Sequence, residues 1–148
     1  MIIESQRKKL ELEPKFPGAY TTLGMAYAQK GMYREAIAAY QEARGFSGET
    51  PNVLSGLGYT YGFSGKRAEA LKILGELKAL SKRRYVAPGH LALVYVGLGE
   101  KDLAFDWLQK AVTEHSIWLP ALKTVQEWAS LRSDPRYAEL LRRIGLPP

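Results

Sequence analysis

A histidine pair can hold a metal ion or move protons, and the sequence offers His90 and His115. They stand 25 residues apart, and neither has a carboxylate four residues away to complete a ligand set on one helix face. His115 falls near the C-terminal end of a predicted helix, where a cationic side chain favours the dipole. With no cysteine in the chain there is no disulfide, no thiolate metal site and no cysteine nucleophile. Ser55 and Ser64 are not set in a pattern with histidine and acid that suggests a catalytic triad. Gly56-Leu57-Gly58 and Gly62 form a glycine-rich stretch, but no strand precedes it and no lysine-serine/threonine follows. These glycines fall inside a predicted helix and read as sites of close helix packing, each costing about 0.5–1 kcal/mol relative to alanine. The remaining chemistry is charge: Lys78 with Lys82-Arg83-Arg84, then Arg7-Lys8-Lys9 and Arg142-Arg143. Basic helix ends are mostly solvated faces, and the alternative is a footprint for nucleic acid or an acidic partner. The expectation is a protein that is not an enzyme, with no catalytic residues, no metal and no cofactor.

The whole chain fits that picture. At 148 residues and 46% hydrophobic content it has the size and composition of one packed domain. The net charge is +6. No apolar run approaches the roughly 18 residues of a membrane helix. Met1-Ile2-Ile3 is followed at once by Glu4 and a basic cluster, unlike a secretory leader. A cytoplasmic location is expected, with an extracytoplasmic domain of a membrane-anchored parent as the alternative.

What positions any functional residue is a repeat. Gly31, Gly65 and Gly99 are spaced by 34, as are Tyr27, Tyr61 and Tyr95, Leu23, Leu57 and Leu91, and Ala36, Ala70 and Ala104. Within each unit the apolar spacing is helical. Tyr20, Leu23, Gly24 and Tyr27 share one face, Gly31 ends that helix, and Ala36, Ala39, Tyr40 and Ala43 share the face of a second. The second unit repeats this with Leu54, Leu57, Gly58 and Tyr61, then Gly65, then Ala70, Ile73, Leu74 and Leu77. The third gives Leu91, Ala92 and Tyr95, then Gly99, then Ala104, Trp107, Leu108 and Ala111. Small residues at positions 24, 58 and 92 allow the helices to approach, and the tyrosines fill the space between successive pairs.

These columns resemble the tetratricopeptide repeat, whose pattern is a large residue, then leucine-glycine, tyrosine, alanine, an aromatic and a closing proline over 34 residues. The first unit carries Tyr20, Leu23, Gly24, Tyr27, Ala36 and Tyr40 at the matching places. The resemblance implies an all-α fold, a right-handed superhelix of antiparallel helix pairs, with units at 17–50, 51–84 and 85–118. Pro88 stands where the first large residue of the third unit belongs, so that helix is expected to start late, with proline in its first turn. Leu74 and Leu108 replace the aromatic of the second helix.

Residues 1–16 read as part of a preceding repeat's second helix, with Pro14 as its closing proline, and suggest a fragment of a longer protein, the alternative being a native start that reuses half a repeat as a cap. Residues 119–148 read as a degenerate fourth repeat acting as a C-terminal cap. Leu122, Val125 and Ala129 take its first-helix positions, Asp134-Pro135 opens a helix through about Ile144, and Gly145 and Pro147 stop it. Arg132, Arg136, Glu139, Arg142 and Arg143 form its solvent face. The segment from Leu131 to Pro147 also resembles the closing segment of bacterial multidomain signalling proteins, in which a kinase, cyclase or DNA-binding domain precedes a tetratricopeptide tail.

In such a superhelix the first helices line the concave side. Residues off the packing face are then Thr21, Met25, Ala28 and Gln29, followed by Asn52, Ser55, Tyr59 and Phe63, then Gly89, His90, Leu93 and Val96, with Lys123 and Glu127 from the cap. Met25, Tyr59, Phe63, Leu93 and Val96 would make an apolar stripe for a protein or peptide partner, unless a further helix covers it. Relatives that bind chaperone C-terminal carboxylates do so through lysine, asparagine and arginine, and the matching places here, Thr21, Met25, Gly56, Val86 and His90, carry none of these. The expected function is a protein-interaction module taking a peptide or helix in the groove. The alternatives are a binder of nucleic acid or an acidic partner, with nucleic acid disfavoured for want of a recognised motif, and self-association.

Overall fold

The computed structural model describes residues 2–12, 17–114 and 126–143. Among them are α1 (Ile2–Leu12), α2 (Pro17–Gln29), α3 (Tyr33–Ser47), α4 (Pro51–Phe63), α5 (Arg67–Leu80), α6 (Pro88–Leu98), α7 (Lys101–Thr113), a 3₁₀ helix (Gln126–Leu131) and α8 (Pro135–Arg143). The described residues contain no strand. Successive helices pack as pairs, α2 with α3, α4 with α5 and α6 with α7, and α4 also packs along α6.

The turn inside each pair is built the same way. Gly31, Gly65 and Gly99 have φ of 75°, 82° and 76°, the left-handed conformation that glycine adopts without steric cost. The next residue's N–H donates five residues back, Met32 to Tyr27, Lys66 to Tyr61 and Glu100 to Tyr95, at 2.8–3.0 Å. Each glycine N–H donates three residues back, to Ala28, Gly62 and Val96. That pairing closes the helix end and satisfies its last carbonyls. The same residue then opens the second helix, its carbonyl accepting from Ala36, Ala70 or Ala104 at 3.0 Å. One residue therefore ends one turn and starts the next helix, which forces the antiparallel pair.

The first helices α4 and α6 open on prolines, Pro51 and Pro88. Pro51 is preceded by Thr50, whose Oγ1 accepts from Val53 N–H at 3.3 Å. Pro17 and Pro51 are 34 apart, whereas Pro88 comes 37 after Pro51, so the link from α5 to α6 is longer.

The alanines of the second helices are fully buried, Ala36, Ala43, Ala70, Ala104 and Ala111 at 0% exposure. Glycines set the closest contacts. Tyr40 lies between α2 and α4, where a Cβ on Gly24 or Gly56 would meet its ring at 2.8 and 2.5 Å. A Cβ on Gly58 would meet Val94 and Ile73, and one on Gly62 would meet the backbone of Gly97. The glycine-rich stretch of α4 is thus a packing surface.

The tyrosine column is held from the preceding second helix. Gln41 of α3 donates to Tyr61 Oη at 3.0 Å. Arg7 of α1 donates to Tyr27 Oη at 2.7 Å through Nη2 and 3.2 Å through Nε. Positions 7 and 41 are 34 apart, so α1 holds the first unit as α3 holds the second. At the third unit glycine occupies position 75, and Lys78 lies over the Tyr95 ring instead, 5.9 Å from its centre. The positions of Ala36, Ala39 and Ala43 correspond in α1 to Ile2, Ser5 and Lys9, which are exposed.

The C-terminal region differs in detail from the repeat. Gln126–Leu131 is a 3₁₀ helix, with Trp128 and Leu131 buried against the core and Ala129 exposed. Ala129 therefore does not take a first-helix packing position; the tighter 3₁₀ turn aims Trp128 and Leu131 inward instead. Asp134 caps α8, Oδ1 accepting from the Arg136 N–H at 2.9 Å. Tyr137, Leu140 and Leu141 are the buried face. Arg136 lies over the Phe105 ring at 4.5 Å and pairs with Asp102 at 2.6 Å. Arg142 pairs with Glu139. Arg132 is half-buried rather than part of the solvent face. Pro14, His115, Leu122, Lys123, Val125, Ile144, Gly145 and Pro147 lie outside the described residues, as does the side chain of Glu127.

Candidate functional site

The first helices present two adjoining kinds of surface. One is an open cleft of about 640 Å³, mixed polar and apolar in lining, where the N-terminal turns of α2, α4 and α6 meet the α5–α6 link. Thr21, Asn52 and His90 line it together. His90 Nε2 lies 2.9 Å from Asn52 Oδ1, which ties α6 to α4. Burial pushes the His90 imidazole below its ordinary range, against a smaller upward pull from the Ala87 backbone. A neutral ring donates from Nε2 to the Asn52 oxygen, leaving the Asn52 amide nitrogen as a donor.

The other surface is apolar. Tyr59 and Phe63, one turn apart on α4, are in ring contact with centres 4.7 Å apart. Phe63 is 41% exposed and Tyr59 half-buried. Met25 on α2 is 44% exposed, and Gln29 near the end of α2 is also exposed. Ala28, Gly89 and Leu93 are half-buried, with Ala28 and Leu93 packed against the core.

Two expected groove residues do not belong to this surface. Val96 is 3% exposed and Ser55 is 3% exposed. Val96 is enclosed because α6 is covered from two sides. Gly97 lets it lie against the α4 backbone at Tyr59, and the 3₁₀ helix carrying Trp128 and Leu131 packs on it as well. Ser55 turns inward, its Oγ donating to the Asn52 carbonyl at 3.2 Å. Of the expected apolar stripe, Met25 and Phe63 are exposed and Tyr59 and Leu93 half-buried, while Val96 is enclosed.

Sequence reasoning placed Arg84 in a basic helix end and did not single out Tyr85, Thr50, Thr22 or Gly18, yet all line the cleft. The signal was the delayed Pro88. Three added residues before α6 leave Arg84 and Tyr85 in a link that overhangs the helix N-termini. Tyr85 is 65% exposed at its lip. Among the described residues no group of histidine and carboxylates could hold a metal ion. None of the described helices is long and apolar enough to cross a membrane.

Residues 17–44, spanning α2 and most of α3, match the family model described as tetratricopeptide repeat. The turns and helix pairs above recur at the same spacing in the two following units. The described helices stack as the antiparallel pairs of an α-solenoid, and residues 17–44 carry its tetratricopeptide repeat. It is similar to Superkiller protein 3 of Schizosaccharomyces pombe (strain 972 / ATCC 24843), 25% identical over 115 residues. That match covers 78% of this chain and 8% of the relative's length. Tetratricopeptide repeats indicate a protein–protein interaction module and are a non-catalytic scaffold.

Proposed function

We propose that this tetratricopeptide array binds a peptide or helix of a partner protein across α2, α4 and α6. The observation that carries this reading is the aromatic pair Tyr59–Phe63 on a first helix, with Phe63 exposed and Tyr59 half-buried, together with exposed Met25 on α2 and a cleft at the helix N-termini. Buried aromatics dominate the affinity of most protein interfaces, and an exposed Phe63 backed by Tyr59 is suited to that use. The units at 17–50, 51–84 and 85–118, with caps at 1–16 and 119–148, are the frame that holds this surface. The C-terminal resemblance supports a setting within a larger regulatory protein.

The test is affinity for peptides selected from a displayed library, measured on wild type and on Tyr59→Ala, Phe63→Ala. Loss of about tenfold or more with unchanged helicity is expected. Met25→Ser, at an exposed position, supplies a second variant and should weaken binding less. Undiminished affinity in both variants would remove this surface from consideration.

A further inference from the structure

We propose that the cleft between the ends of α2, α4 and α6 receives the side chain of an aspartate or glutamate internal to the bound segment. The inference rests on the groove-binding reading and specifies the chemistry at one end of it. The cleft contains Arg84 and no aspartate or glutamate. Among the described residues Arg84 makes no ion pair. Two acidic side chains of the first two units are engaged by other arginines. Glu49 lies 2.8 Å from Arg44 and 3.9 Å from Arg83, and Glu76 lies 2.8 Å from Arg44. Arg84 is thus an exposed cation at the edge of the cleft with no ion-pair partner among the described residues.

Neutral donors line the same cleft. The Asn52 oxygen is held by His90, so its amide nitrogen is the part left to donate. Thr50 Oγ1 accepts from Val53, which leaves its hydroxyl hydrogen available. A cleft that holds a guanidinium, an amide and a hydroxyl, and no acidic group, matches a carboxylate, which accepts only. One cation balances one carboxylate, whereas a phosphate near −2 would keep unbalanced charge. Five positions where relatives grip a chain-terminal carboxylate, 21, 25, 56, 86 and 90, carry no lysine or arginine. An internal acidic side chain next to apolar residues fits both the cleft and the neighbouring Tyr59–Phe63 surface.

The test selects 12-residue peptides, displayed without a free C-terminus, on wild type and on Arg84→Gln. Wild type should enrich an acidic residue beside apolar ones, and Arg84→Gln should not. A selected peptide is then made with an amidated end, together with its version carrying glutamine at the acidic position. At low salt that change should weaken binding to wild type about fivefold and leave binding to Arg84→Gln nearly unaffected. Selected peptides without acidic enrichment, or an equal loss on both proteins, would overturn the proposal. So would affinity that appears only with a free C-terminus, or competition by inorganic phosphate at millimolar concentration. The groove reading fails separately. Acid-dependent peptides that bind Tyr59→Ala, Phe63→Ala undiminished would remove it alone, and peptides lost by that variant without acidic preference would remove the cleft alone. Selection of no peptide would count against both.

Discussion

Replacing Gly97 by alanine should destabilise the array, although alanine is the better helix former. A Cβ at position 97 would sit 2.5 Å from the Tyr59 carbonyl oxygen, 2.8 Å from its Cα and 3.0 Å from its carbonyl carbon. These are backbone atoms of α4, so no side-chain rotation relieves the contact, and the two helices must separate. Overpacking of this kind costs about 1–3 kcal/mol. The gain in helix propensity is about 0.5–1 kcal/mol. The clash wins, leaving a net loss of about 1–2 kcal/mol and a fall in Tm of about 3–8 °C for a chain of this size. Gly75→Ala is the control. Position 75 lies within α5, and an added Cβ meets nothing within 4 Å. Only the propensity term remains, so Gly75→Ala should gain about 0.5–1 kcal/mol. Urea unfolding followed by circular dichroism reads both. Wild-type stability in Gly97→Ala, or a loss in Gly75→Ala, would refute the claim that α4 and α6 meet backbone to backbone.

Three further outcomes follow from single contacts. Tyr27→Phe removes the acceptor of both Arg7 hydrogen bonds and should lower amide protection throughout α1, with a stability loss of about 0.5–1.5 kcal/mol by urea unfolding. Hydrogen bonds from the Arg136 side chain and backbone hold Asp134 down at about 2 against an ordinary 3.8. Its carboxylate therefore stabilises fully above pH 3.8, and that contribution is lost as pH falls toward 2; Asp134→Asn should flatten this part of an acid-unfolding curve. His90 is shifted the other way for a base: its pKa is lowered by burial, beside Asn52 and with Arg84 lining the same cleft. The unfolded chain binds that proton more readily, so stability is full above about pH 6.5 and falls as pH drops below it; His90→Gln should remove the slope in a pH series of urea midpoints.

The repeat was legible because a turn imposes residue types directly. A left-handed position needs glycine, and the residue four before it must offer a carbonyl and fill the gap between pairs, so Gly31, Gly65, Gly99 and the tyrosines repeat without slippage. Pro88 as the first residue of a delayed helix was legible for the same local reason. The partner of a helical glycine is not local. Nothing in the sequence says that Gly62 faces Gly97, and that contact helps enclose Val96. The 3₁₀ helix over α6 escaped because its buried residues, Trp128 and Leu131, fall off the leucine and tyrosine columns of the repeat, which land on positions 125 and 129. The cleft escaped because Arg84 belongs by register to the end of one unit and by position to the start of the next.

The measurement that tests the functional claim most directly is chemical-shift mapping of ¹⁵N-labelled protein with a display-selected peptide. The account predicts the largest changes at Thr21, Met25, Asn52, Tyr59, Phe63 and His90, on the first helices. Changes centred instead on the exposed second-helix residues Leu71 and Leu103, with the first helices unmoved, would contradict it.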